Sequence, residues 1–133
     1  MKAVSAVLTC FALFFFAWAL MAGALYVIGW AAAKAGHGNS IFAVVHVLVM
    51  WILCPTIAAG VAVYGTSEAF KSVPAATIFV SFVSAISSLT ALVAVMWLAG
   101  RATGIDSVGE GVVGTLQIIG ILIGARAGRS AAE

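Results

Sequence analysis

Residues 107–129 read S-V-G-E-G-V-V-G-T-L-Q-I-I-G-I-L-I-G-A-R-A-G-R, and their glycines decide how the rest of the chain is read. Gly120, Gly124 and Gly128 recur every four residues. On a helix they line one side as a groove, with Gly114 and Gln117 on or next to that side. In hydrocarbon such a strip has a specific use. Lipid tails are as apolar as leucine, so helices associate there by close backbone approach and a few polar contacts. The groove, with one uncharged amide in it, is therefore a surface for docking helices in a membrane.

The surrounding composition agrees. Of 133 residues, 65% are hydrophobic and 8% charged, against roughly 25% charged in an average soluble domain. Six basic and four acidic side chains cannot cover a water-soluble surface, and apolar runs long enough to cross a bilayer are present. The sequence predicts an all-α integral membrane protein: a single domain of four transmembrane helices in an up-down bundle. The spans fall at about 4–33, 41–64, 74–100 and 108–128. The net charge of +2 and the scattered basic residues argue against a nucleic-acid partner. Cys10 and Cys54 both lie inside apolar runs and build no disulfide framework.

Moving outward toward the N-terminus, about thirty apolar residues open the chain and would reach ~45 Å as a helix. That exceeds a hydrocarbon core of ~30 Å, so the helix tilts or projects. Tyr26 and Trp30 suit an interfacial aromatic belt. The apolar stretch runs on past Ala24, which favours a span over a cleaved signal peptide. The turn at 34–40 offers Asn39 or Ser40 as an N-cap. Pro55, inside the second span, removes a backbone hydrogen bond and is expected to kink it, with neighbours or water satisfying the freed carbonyl.

The next connection, 65–73, can pair Glu68 with Lys71, and Pro74 opens the third helix. Along that helix Thr77, Ser81, Ser84 and Ser88 form a hydroxyl stripe. Small hydroxyl residues of this kind let helices approach, and could otherwise line a pathway. Ser107 followed by Glu110 has the pattern of a capping box at the start of the fourth helix. Arg126 and Arg129 anchor its far end by reaching to the interface. Four spans bring both termini to one face, which holds Lys2, Lys71, Arg126 and Arg129 against Lys34 and Arg101 on the other. The excess of positive residues places both termini in the cytoplasm.

One constellation carries donor chemistry. His46, Met50 and Cys54, spaced four and four, share a face of the second helix. Imidazole, thioether and thiol suit a soft ion such as Cu(I), and the imidazole alone suits haem iron. Met21 and Met96 fall at comparable depths on neighbouring helices. Haem held by two histidines needs a second copy or a partner, because His37 falls in a turn. Against this, methionine and buried cysteine are common apolar fillers, and no cofactor is predicted.

No nucleotide-binding glycine motif and no nucleophile with an oriented base is present. No Asp, Glu, Lys or Arg lies mid-span, which disfavours ion-coupled transport, including by small four-helix exporters that use a buried glutamate. The reading that follows is a non-catalytic subunit that packs into a larger membrane complex through its glycine-groove helix. Its alternative is a homo-oligomeric pore or holin-like protein, and its second alternative a copper- or haem-binding module built on His46, Met50 and Cys54. The expected partners are the lipid bilayer and other membrane subunits or copies of itself. The bacterial inner membrane or an organellar equivalent is the expected setting.

Overall fold

The computed structural model describes residues 2–36, 39–101 and 105–133; the side chains of 40, 93, 96–101, 105–111 and 113 are outside the description. The Ser107–Glu110 capping box, His37 and the Met96 side chain therefore lie outside the described residues. Among the described residues every element is helical. They run α1 (Lys2–Lys34), α2 (Ser40–Leu48), a π-helical turn (Val49–Leu53), α3 (Cys54–Ala69), α4 (Ala75–Arg101) and α5 (Ile105–Ala132).

The helix starts and stops follow local chemistry. Asn39 caps α2, its side-chain oxygen accepting from the Phe42 amide at 2.7 Å, which satisfies one of the donors a helix start leaves free. The carbonyl of Pro74 accepts from the amides of Thr77 and Ile78 at the start of α4. Glu68 and Lys71 pair across the preceding turn at 3.4 Å. The second span extends further than the sequence indicates, to Ala69 rather than residue 64. No proline lies between, and Thr66 and Ser67 are buried there.

Pro55 is the main surprise. Instead of merely bending the helix, it is preceded by a turn of π-helix in which the Cys54 amide reaches back five residues to the Val49 carbonyl. The next bond of that register would run from residue 55 to the Met50 carbonyl, and proline has no N–H to give. The orphaned carbonyl is filled from another helix: the indole N–H of Trp18 donates to Met50 O at 3.2 Å. The expectation that a neighbour satisfies the freed carbonyl thus acquires a named donor.

α3 is the central helix, packed most extensively on α5 along one flank and on α1 along the other. Its buried positions are mostly small: Cys54, Ala58, Ala59, Ala62 and Thr66. Small side chains on both flanks let two neighbours come close, and in hydrocarbon that closeness is the main source of attraction. Where α1 meets α4, aromatic rings fill the contact. Phe14 and Phe82 meet edge to face with centroids 5.3 Å apart, and Phe11 lies 5.2 Å from Phe82. Such pairs contribute about 0.5–1.5 kcal/mol each beyond their burial.

Candidate helix-packing interface and polar sites

The glycines of α5 face α3 directly. A Cβ added at Gly124 would collide with the backbone carbonyl of Thr56 and lie 3.2 Å from its Cα. One added at Gly128 would collide with the Gly60 carbonyl and lie 3.1 Å from its Cα. At Gly120 the obstruction is softer, the hydroxyl of Thr56. Reciprocally, a Cβ at Gly60 would sit 3.0 Å from the Gly124 carbonyl. Thr56 seats this crossing. Its hydroxyl donates to Ile52 O at 2.7 Å, which holds the side chain against its own helix while it faces Gly120.

The groove is therefore closed by the chain's own α3. Gly114 departs from the pattern: no described heavy atom lies within 4 Å of a Cβ placed there. With Gln117 it lines a cavity of about 310 Å³ between α1, α4 and α5, walled by Phe14, Trp18, Ile86 and Leu89. The half-buried Gln117 amide finds no hydrogen-bond partner among the described residues. Thr90, on the opposite wall, spends its hydroxyl on Ile86 O at 2.8 Å.

The hydroxyl stripe of α4 does not serve packing within the chain. The core-facing positions are Ile78, Phe82 and Ile86, while Thr77, Ser84 and Ser88 are exposed and Ser81 is half-buried. Ser84→Ala should accordingly shift the melting temperature of the detergent-solubilised chain by less than about 1 °C, since Ser84 is exposed on the fold.

His46, Met50 and Cys54 are not gathered on one face, and the reason is the π turn between them. It inserts one residue into the helical count, which rotates Cys54 by roughly 100° relative to an uninterrupted α-helix. His46 presses on Gly29 of α1, where a Cβ would meet its Nε2 at 2.8 Å, and stacks on Phe42 at 5.7 Å. Met50 lies in a separate apolar cavity with Phe15, Trp18 and Trp51. Cys54 is buried in neither. The four-residue spacing was a sound reading of an α-helix, but not of this one.

Tyr26 and Trp30 are exposed near the end of α1, with the Lys34 ammonium 5.5 Å above the Trp30 ring. Arg129 pairs with Glu133 at 2.9 Å and covers the Phe79 ring at 5.3 Å. Two residues that spacing alone did not single out, Trp18 and Thr56, make side-chain hydrogen bonds within the bundle.

Among the described residues three helices are long and apolar enough to cross a membrane: Lys2–Lys34, Ile41–Ala69 and Ala75–Leu92. They point to a multi-pass membrane protein. No family model matches the chain, and neither a curated protein nor a solved structure does.

Proposed function

We propose that the chain is a non-catalytic subunit of a larger membrane complex, with α5 crossing the bilayer as a fourth span and both termini in the cytoplasm. The observation that supports this reading is Gln117. Its amide opens on an apolar cavity and has no partner on the described chain, and a polar group in hydrocarbon is stabilised by a neighbouring helix that can bond it. The docking role read from the sequence thus passes from Gly120, Gly124 and Gly128, which α3 covers, to the face around Gln117 and Gly114. An apolar helix carrying one hydrogen-bonding side chain would fill that cavity.

A second reading, a ring of identical chains, has its own support. Thr77, Ser84 and Ser88 turn outward from the fold, where hydroxyls would line either a contact between copies or a pore. The two readings separate on particle mass. Extraction in mild detergent followed by native mass analysis should yield this chain with other gene products for a subunit, and multiples of this chain alone for a ring. Gln117→Leu should release free chain, weakening association about fivefold to thirtyfold, as expected for the loss of one interhelical hydrogen bond of about 1–2 kcal/mol. A wild-type particle with the mass of one chain, or a Gln117→Leu particle of unchanged composition, would refute docking at this face.

A further inference from the structure

A seam stays open between α1 and the second span. Its outer chamber, about 420 Å³, is walled by Tyr26, Gly29, Trp30, Phe42 and His46. Its inner chamber, about 500 Å³, is walled by Phe15, Trp18, Ala22, Met50 and Trp51. The two succeed one another along the same pair of helices. α1 packs extensively on α3 and only slightly on α2, and the π turn that changes the helix's phase lies between those two segments. Turns of this kind are frequent at functional sites.

Depth restricts what the outer chamber can hold. The membrane segment Ile41–Ala69 has 29 residues, or ~43 Å at 1.5 Å each, which matches a bilayer of ~40–45 Å including its headgroups. His46, seven residues beyond the Asn39 cap, therefore lies ~10 Å down, where the hydrocarbon begins. Its half-buried imidazole stacks on Phe42 with ring planes 18° apart. Neither ring nitrogen bonds another described residue. The Nε2–Cε1 edge rests on Gly29, where a Cβ would come within 2.8 and 2.9 Å of those atoms. Nδ1 is thus the nitrogen left to a ligand, and a polar group without a partner at that depth is costly.

No residue lining either chamber is charged, and the nearby Lys34 ammonium is held over the Trp30 ring. An ionic headgroup finds no counter-charge there. No three His, Cys, Asp or Glu side chains gather among the described residues to hold a metal ion. The outer chamber offers aromatic faces and one hydrogen-bonding nitrogen, and the inner one an apolar trough. A flat, uncharged ring with a carbonyl suits the first, and a hydrocarbon tail suits the second.

We infer that the seam binds an isoprenoid quinone from the bilayer. The ring lies among Tyr26, Trp30 and Phe42, with one carbonyl accepting from the His46 Nδ1–H, and the tail runs past Ala22, Met50 and Trp51. Every wall residue belongs to α1 or the second span, so one chain makes the whole site whether or not other subunits join it.

The test is titration of the purified full chain in detergent with decylubiquinone, read by quenching of tryptophan fluorescence. Trp18, Trp30 and Trp51 line the seam, so quenching is expected to saturate at one quinone per chain. His46→Phe keeps an aromatic ring and should weaken binding about threefold to tenfold, the loss of one hydrogen bond. Ala22→Leu narrows the inner chamber and should weaken decylubiquinone at least as much, while leaving binding of the tail-less ubiquinone-0 unchanged. Thermal melting checks that each variant folds; if one does not, the other decides. Decanol, a tail without a ring, should displace the quinone poorly. Quenching that rises without saturation, equal affinity in the wild type and the folded variants, or displacement by decanol as effective as by unlabelled quinone would overturn the inference.

Discussion

Gly124→Leu is expected to separate α5 from α3 and to destabilise the folded chain by at least about 3 kcal/mol, the upper range for overpacking a tight contact. The obstruction is backbone. A Cβ at Gly124 already collides with the Thr56 carbonyl, and no rotamer change relieves that. Gly120 supplies the contrast, because a methyl there meets only the Thr56 hydroxyl. Gly120→Ala should therefore cost less than Gly124→Ala, its penalty being the hydroxyl's bond to Ile52 O, worth about 1 kcal/mol. Gly114→Ala, in open space, should be nearly silent. Thermal unfolding in detergent would rank the three alanine variants, and equal losses at 114, 120 and 124 would contradict the crossing described here. The outcome also separates fold from assembly. Gly124→Leu acts inside the chain, whereas Gln117→Leu acts on association with a stable fold retained.

Trp18→Phe is the second large effect, expected at about 1–2 kcal/mol. Phenylalanine keeps part of the ring packing against Phe14 and Trp51, whose centroids lie 5.8 and 6.0 Å from that of Trp18. It removes the single indole donor to Met50 O. The Met50 carbonyl then has neither its helical donor nor its substitute. The mechanism makes a sharper statement than the magnitude. The carbonyl is orphaned because residue 55 is proline, so restoring an N–H with Pro55→Ala should make Trp18 partly dispensable. In a double-mutant cycle, Trp18→Phe should cost measurably less in the Pro55→Ala background than in the wild type. Additive losses would mean that the two residues are not joined through this carbonyl.

How far these sites were legible in the sequence depends on whether they needed more than one helix. Asn39 as a cap, Pro74 at a helix start and the Glu68–Lys71 pair are local, and the structure shows each of them. The triplet His46, Met50 and Cys54 does not keep the α-helical period that a four-residue spacing implies. The π turn at Val49–Leu53 lies between His46 and Cys54 and changes the phase of the helix. Trp18 could have been suspected, since an indole inside an apolar run requires an acceptor, yet nothing in one sequence says which carbonyl is free. Ser67 looked like a loop residue because glycine, threonine and serine crowd that stretch.

Apolar run lengths and the scarcity of charge determined an all-helical chain with membrane-crossing segments, and the four-residue recurrence of glycine determined that α5 packs closely on some helix. These are properties of single elements, set by side-chain period and by transfer from water to lipid. Only the tertiary structure decided that the helix in question is the chain's own α3, that the hydroxyls of α4 look outward, and that an indole on α1 completes the hydrogen bonding around Pro55. Each of those depends on the rotation of one helix about its axis relative to another. In hydrocarbon that rotation is selected by backbone fit and unsatisfied polar groups, since water is not there to drive one face inward.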